Sequence, residues 1–347
     1  MGQSLVRRLG NWMNFWGDNI FDVIIPVFKT NPLFLREAIN SVLDQTFQEF
    51  EIYISDGTPI DHPYHSKNTL EDINDSRIHI LQQVGKGISD ARNQALRAGN
   101  NPYVCTLDSD DMWDIRKLEY TKLMIERENK PVKMMWGAAA HGLGLDNIEY
   151  RAGYFEEWEK TKPEHRWLRL YWSPLMTSTI VYERKSLVDF GGWNPFMTLG
   201  EDMEVNWKFM WYYPEQCIQA PVYLGKYRSH DNSTVGGGES GHTKFNSSII
   251  PNSRRFSADR MLESMKQATQ HNPTPHWKNY WEWYEKVLHG CRQSCNQEYI
   301  DGDRTHPLHI LQRLDGVDNG SKFVERPSIL TEEYILNLKQ QLPSRTL

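Results

Sequence analysis

"DVIIPVFKTNPLFLREAINSVLDQTFQEFEIYISDG", residues 22–57, decides how this chain folds. Its opening, "DVIIPVF" (22–28), is a β-rich run that stops at "KTNP". Asn31 is then placed to cap a helix, with Pro32 at the first helical position, where a missing N–H costs nothing. Leu35, Ile39, Val42 and Leu43 recur at helical spacing, and "EIYISDG" (51–57) alternates into a turn and reads as a second strand. Strand, helix and strand in such close succession form the unit of a parallel sheet covered by helices.

Working outward, "RIHIL" (77–81) predicts a third strand and "YVCTL" (103–107) a fourth. Between them "SDARNQALRAG" predicts a helix capped by Ser89 and stopped at Gly99. The order β-α-β-β-α-β implies a mostly parallel α/β sheet, in which ligands bind beyond the carboxyl ends of the strands. Phe28, Asp56 and Asp108 each lie at such an end, so fold logic puts them on one rim. Further on, strands are expected at 132–141, 176–182 and in "PVYLGKYRSH" (221–230). "KSLVDFGGW" reads as a helix closed by Gly191 and Gly192, and "EDMEVNWKFMWYY" as an amphipathic helix that opens on two carboxylates. "DNSTVGGGESGH", with four glycines in 236–241, is expected to be a mobile loop, and the rest reads as helices with aromatic patches.

The 347 residues are 39% hydrophobic and 24% charged, which suits a globular protein with a sizeable core. A net charge of −6 argues against a nucleic-acid partner held by general electrostatics. No run approaches the ~18 apolar residues of a membrane span. Residues 1–19 lack the apolar stretch of a secretory signal; Leu5, Leu9, Trp12 and Trp16 share a helical face suited to packing on the domain or to a membrane surface. Four cysteines are few, and Cys291 and Cys295 are spaced as helical core thiols, so a reducing, cytoplasmic setting is expected, with membrane contact at most peripheral.

The fourth predicted strand runs straight into "DSDD" (108–111). Carboxylates crowded this closely repel unless a cation shares the site. A calcium loop fits poorly, because Met112 would take a ligand position and Trp113 the place of the turn glycine. A phosphoryl-transfer pair lacks the neighbours it needs. A solvated helix start and a divalent ion shared with a diphosphate both remain open on these four residues alone.

Four segments in order decide between them. "DVIIPVFKTNPLFLREAINSVLDQTFQEFEIYISDGT", "GKGISDARNQALRAGNNPYVCTLDSDDMW", "LGEDMEVNWKF" and "YRSH" together resemble the inverting glycosyltransferases of family two, over about residues 20–232. The resemblance implies the GT-A fold, a Rossmann-like central sheet flanked by helices, over 20–235. Residues 20–111 would be its nucleotide-binding half and 112–235 its acceptor and catalytic half, with a glycine-rich loop and a C-terminal helical region in 236–347. Carried over residue by residue, it implies that Pro26, Val27 and Phe28 line a base pocket and that Asp56 meets the base or ribose. Arg92 would lie near the nucleotide, Asp108 would face the ribose, and Ser109 and Asp110 would be further substrate-binding residues. Asp110 would hold Mn²⁺ or Mg²⁺, with His230 closing the metal or diphosphate site. Asp202 would be the general base, with Glu201 beside it. The implied partners are a UDP- or GDP-sugar donor and a glycan or glycoconjugate acceptor.

Two departures stand out: "ISDGT" lacks the extra acid and the serine common at the second strand's end, and 134–180 matches no close pattern. A bound cation would stabilise charge on a diphosphate leaving group, and one base opposite that group would give inversion. The glycine loop is read either as a cover for the donor or as a linker. The two glycines of "GKGISD" read as a tight turn rather than a dinucleotide fingerprint. Trp172, Trp193 and Trp207 are each expected in the core sooner than against a sugar. A nucleotidyltransferase would want a glycine- and lysine-rich loop after the first strand, which "PVFKTNP" lacks. The remaining alternative is a non-catalytic nucleotide- or glycan-binding protein of the same fold.

Overall fold

The computed structural model of the chain describes residues 19–141, 150–152, 158, 161–163, 166, 175–195, 200–228, 230 and 327–342. Nine strands form one sheet: β1 (Phe21–Val27), β2 (Phe50–Asp56), β3 (Ile78–Gln82), β4 (Tyr103–Thr106), β5 (Met112–Trp113), β6 (Met134–His141), β7 (Tyr150–Ala152), β8 (Val181–Glu183) and β9 (Cys217–Tyr227). The order is β3-β2-β1-β4-β8-β6-β9-β5, with β7 on β6. The half holding β1 to β4 is wholly parallel. β6 and β9 run in the same direction, while β5, β7 and β8 run against it. The helices are α1 (Pro32–Leu43), α2 (Ser66–Thr69), α3 (Gly87–Ala98), α4 (Lys117–Arg127), α5 (Arg184–Asp189), α6 (Glu201–Tyr212) and α7 (Glu332–Gln340).

β1 is buried along its whole length, as a central strand must be when helices cover both faces. Phe21, Val23, Ile25 and Val27 point into one core with Leu35, Ala38, Ile39 and Val42 of α1. Ile24 points into the other, with Ala95 and Leu96 of α3 and Val205, Trp207, Phe209 and Met210 of α6. Each Val, Leu, Ile, Phe or Met side chain among these contributes about 1.5–3 kcal/mol when fully buried. Asn31 caps α1 as expected: its side chain accepts from Leu33 N at 2.9 Å.

Pro26 shapes the opening between strands. Leu107 N bonds Ile24 O, so even-numbered residues of β1 face β4, and Pro26 faces it with no N–H to give. Pairing of β1 with β4 ends at Ile24 and Thr106, whereas β1 stays paired with β2 through Val27 and Asp56. The chain therefore splits β1 from β4 at the point where strand order reverses, the usual position of a ligand crevice in such sheets.

Three expectations are corrected. Ser89 does not cap α3: the helix starts at Gly87 after Lys86, and the Lys86 N–H is taken by Asp90 Oδ2 at 2.8 Å, while Ser89 Oγ is buried without a partner. The strand expected over 176–182 is a 3₁₀ turn, Thr177–Thr179, followed by the short β8. Helix α6 is less amphipathic than its pattern implies, burying Glu201, Glu204 and Asn206 along with its apolar residues. The expected stop of α5 does hold: Gly191 and Gly192 follow it with φ of 83° and 70°. Residues 1–18, Cys291, Cys295, Trp172 and the 236–241 loop lie outside the described residues. Part of the C-terminal region is described and belongs to the domain's own core. Leu330, Ile335 and Leu338 pack with Tyr120, Leu123, Met124, Val222 and Leu224, and Lys339 pairs with Glu119 at 2.6 Å. No helix of the described residues is long and apolar enough to cross a membrane.

Lys117, at the start of α4, is fully buried, with no hydrogen-bond partner for its ammonium group. Nζ sits 3.7 Å from the centre of the Trp113 ring. Burial pulls its pKa down from 10.5 to about 8. Below pH 8 the folded state carries the full cost of that buried charge. Between pH 8 and 10.5 the unfolded chain holds the extra proton, so wild-type stability rises with pH there. Lys117→Met is expected to stabilise the protein at pH 7 by about 1–3 kcal/mol, the ring's attraction offsetting part of the burial cost. In urea unfolding at several pH values, that advantage should narrow as the pH climbs above 8.

Candidate active site

Arg92, one turn into α3, is the centre of the site. It is 2% exposed; Nη1 donates to Glu201 Oε1 at 2.6 Å and Nη2 to Asp108 Oδ1 at 2.8 Å. Burial works against its charge, yet the carboxylates of Asp108, Glu201 and Asp202 more than offset this and hold it above its ordinary value. The planar fork of a guanidinium suits two separate carboxylates, which a single ammonium could not serve in the same way. Arg92 thereby ties α3, the loop after β4 and the start of α6 together.

The acidic run after β4 divides three ways. Asp108 takes Arg92. Asp110 Oδ2 lies 2.8 Å from His230 Nε2. Burial, with Asp108 next, raises the pKa of Asp110, against the pull of His230. Asp111 is turned inward: Ser178 Oγ donates to it at 2.5 Å and the Arg228 N–H at 2.9 Å. Burial, then Asp108 and Asp110, push its carboxyl well above the usual range. Arg92 thus pairs with Asp108, His230 bonds Asp110, and Asp111 is tied to Ser178 and the Arg228 N–H, while the neighbouring acids still raise the pKa values of Asp110 and Asp111.

β9 ends on the same rim and delivers Arg228 and His230. Arg228 Nε donates to Asp110 O at 2.8 Å, its guanidinium lies 4.3 Å from the Phe34 ring centre, and it pairs with Glu37. The His230 ring also lies against Phe34, at 5.1 Å. Helix α1 therefore braces the segment that brings His230 to Asp110.

Asp202 enters from α6. Gly200, the cap of that helix, has φ 80°, a conformation that side-chain-bearing residues resist. The turn places Glu201 inward against Arg92 and leaves Asp202 part-exposed. Asp202 Oδ2 accepts from Thr177 Oγ1 at 2.7 Å and Oδ1 from Met203 N at 2.7 Å. In Glu201, burial and the adjacent Asp202 raise the pKa, with Arg92 opposing.

At the other end of the rim, Pro26 and Val27 are buried and Phe28 is 66% exposed. Asp56 is fully buried: Oδ1 accepts from Thr58 N at 2.8 Å, and Oδ2 from Ser66 N at 2.7 Å and Ser66 Oγ at 2.6 Å. Its carboxylate faces the protein and braces the loop after β2. Ser109 is 8% exposed and shares a 2.7 Å hydrogen bond with Thr30. Arg92, Asp108, Asp110, Glu201, Asp202 and His230 come together directly; Phe28 and Asp56 flank them along the rim. Trp193 and Trp207 are fully buried core residues, as expected. The sequence reading missed Thr177 and Ser178, whose hydroxyls set Asp202 and Asp111. Three hydroxyl residues in "TST", inside a run otherwise read as strand, were the available signal.

Asp110 and His230 supply one oxygen and one nitrogen donor, both part-exposed at the rim. Among the described residues no group of three His, Cys, Asp or Glu side chains is placed to hold a metal ion. A hard divalent ion shared with a diphosphate needs few protein ligands, the rest coming from phosphate and water. The pair fits such an ion.

An open α/β sheet with its acidic residues gathered beyond one rim has the architecture of the GT-A glycosyltransferases. Residues 22–184 match the family described as Glycosyl transferase family 2. The chain is 31% identical over 121 residues to UDP-Glc:alpha-D-GlcNAc-diphosphoundecaprenol beta-1,3-glucosyltransferase WfgD of Escherichia coli, covering 35% of this chain and 46% of that protein. It is 32% identical over 96 residues to the succinoglycan biosynthesis protein ExoW of Rhizobium meliloti, covering 26% and 29%. The chain spans less than half the length of these curated relatives. The crystal structure of S. aureus TarS 1–349 in complex with UDP-GlcNAc shares the fold, with a TM-score of 0.52 at 16% identity over 88% of this chain and 94% of that one.

Proposed function

We propose that this chain is a metal-dependent, inverting glycosyltransferase that moves a sugar from a nucleoside-diphosphate sugar to a hydroxyl of a glycan or glycoconjugate. The observation that carries the reading is the Arg92 hub, which holds Asp108 of the acidic loop and Glu201, the neighbour of Asp202, at the start of α6. The TarS complex with UDP-GlcNAc and the relative named for UDP-Glc support a nucleotide-sugar donor at the level of class. The diphosphoundecaprenol in that relative's name also supports a glycoconjugate acceptor and work at a membrane surface.

In this reading Asp110 and His230 hold Mn²⁺ or Mg²⁺, which when bound acts as a Lewis acid on the departing diphosphate. Pro26, Val27, Phe28 and Asp56 form the base end. Asp108 and Ser109 lie along the ribose and diphosphate, and Arg92 keeps Asp108 in place. Asp202 accepts the proton of the attacking hydroxyl, its carboxylate aimed by Thr177 and the Met203 N–H. With one base on the face opposite the leaving group, the sugar carbon inverts. Glu201, committed to Arg92, sets the turn on which Asp202 stands.

The test is a panel of UDP- and GDP-sugars incubated with the protein and Mn²⁺. Release of the nucleoside diphosphate from one donor, accelerated by a glycan acceptor, is the expected result. Thermal stabilisation by glycans with no response to any nucleotide would instead make the chain a non-catalytic binder.

A further inference from the structure

Lys29 is the one non-glycine residue among the described residues with a positive φ, 51°. Side chains disfavour that left-handed backbone, and isolated residues held in it cluster at functional sites. Lys29 follows Phe28 at the mouth of the proposed donor site. Its N–H donates to Thr58 Oγ1 at 2.7 Å, and Thr58, fully buried, donates its own N–H to Asp56 Oδ1 at 2.8 Å. The Gly57 N–H bonds Val27 O at 2.8 Å, so the loops after β1 and β2 are locked side by side. On the far side of Lys29, Thr30 Oγ1 meets Ser109 Oγ at 2.7 Å, between the two carboxylates of the acidic loop.

A continuous path therefore runs Asp56–Thr58–Lys29–Thr30–Ser109, from the base end of the site to its diphosphate end. We infer that Thr58 and Thr30 are positioning residues that fix the distance between the base-binding and diphosphate-binding ends by holding Lys29 in its left-handed turn. The inference rests on the proposed function, since it assigns the two ends their ligand. Neither threonine touches the reacting atoms. Their effect falls on donor affinity, and it depends on Lys29 having a side chain that must be held in place.

That dependence gives the test. Thr58→Val keeps the shape and removes the acceptor; it should weaken UDP or GDP binding in the presence of Mn²⁺ by about tenfold, the worth of one hydrogen bond. Thr58→Ser should restore binding. Glycine adopts the left-handed turn freely, so in a Lys29→Gly background the effect of Thr58→Val should shrink to about threefold or less. Amide exchange at Lys29 reads the same hydrogen bond without any ligand and should speed up in Thr58→Val. Thr30→Val, which leaves the buried Thr58 untouched, should also weaken nucleotide binding and guards against a Thr58 variant that fails to fold. If the wild type binds nucleotide and Thr58→Val and Thr30→Val bind it equally well, the inference is overturned and the proposed function stands. If Thr58→Val costs the same in the wild-type and Lys29→Gly backgrounds, the holding role is overturned. If the wild type binds no nucleoside diphosphate, the proposed function falls and takes this role with it.

Discussion

Asp202→Asn is expected to lower the rate of sugar transfer by about 10²–10⁴-fold while leaving donor affinity within about twofold of wild type. Asparagine keeps the shape of the side chain and one acceptor for the Thr177 hydroxyl or the Met203 N–H, so the turn after Gly200 survives. What it loses is the capacity to take a proton from the acceptor hydroxyl. Glu201 cannot stand in, because it is 6% exposed and its Oε1 is committed to Arg92 at 2.6 Å. Single-turnover transfer and calorimetric donor binding, measured on the same preparation, separate the two effects. A normal transfer rate in Asp202→Asn would remove Asp202 from the role of base.

The second large effect belongs to Arg92. Arg92→Met is expected to cost about 3–5 kcal/mol of unfolding free energy, because it leaves buried carboxylates without their cation. Glu201, with its side chain 8% exposed, bears most of that cost; Asp108, at 32%, can turn partly to water. The penalty should shrink as pH falls through the carboxylate range, where Glu201 takes up a proton and no longer needs a cation. Arg92→Lys should fall between the two, since one ammonium group cannot bridge both acids along the same directions. Urea unfolding at pH 7 and pH 4 checks both the size and the sign.

The first half of the sheet was legible because its signals are local. β1 is an unbroken apolar run, α1 carries its cap and its proline, and each strand end is marked by a turn. The same logic placed Phe28, Asp56 and Asp108 on one rim. The parts that were not legible are set by partners far along the chain. "MTSTIVY" has the β-branched pattern of a strand, but the hydroxyls of Thr177 and Ser178 answer to Asp202 and Asp111, and their hydrogen bonds bend the segment into a turn. Nothing near Arg92 in sequence shows that Glu201, 109 residues away, shares its charge. Asp111 reads as one more acid in a cluster, and the Ser178 hydroxyl and the Arg228 N–H just past the end of β9 turn it into an internal tie. The placement of Ser89 within α3, inside the helix it was expected to cap, has a local cause: Asp90 reaches back to Lys86 first.

This rim is proposed to bind a nucleoside diphosphate through a divalent ion held at Asp110. Calorimetric titration of UDP and GDP into the protein, with Mn²⁺ and again with EDTA, tests it directly, with Asp110→Ala alongside. One of the two is expected to bind with Mn²⁺, with that binding lost in EDTA and lost equally in Asp110→Ala. Equal affinity in all three conditions would contradict it.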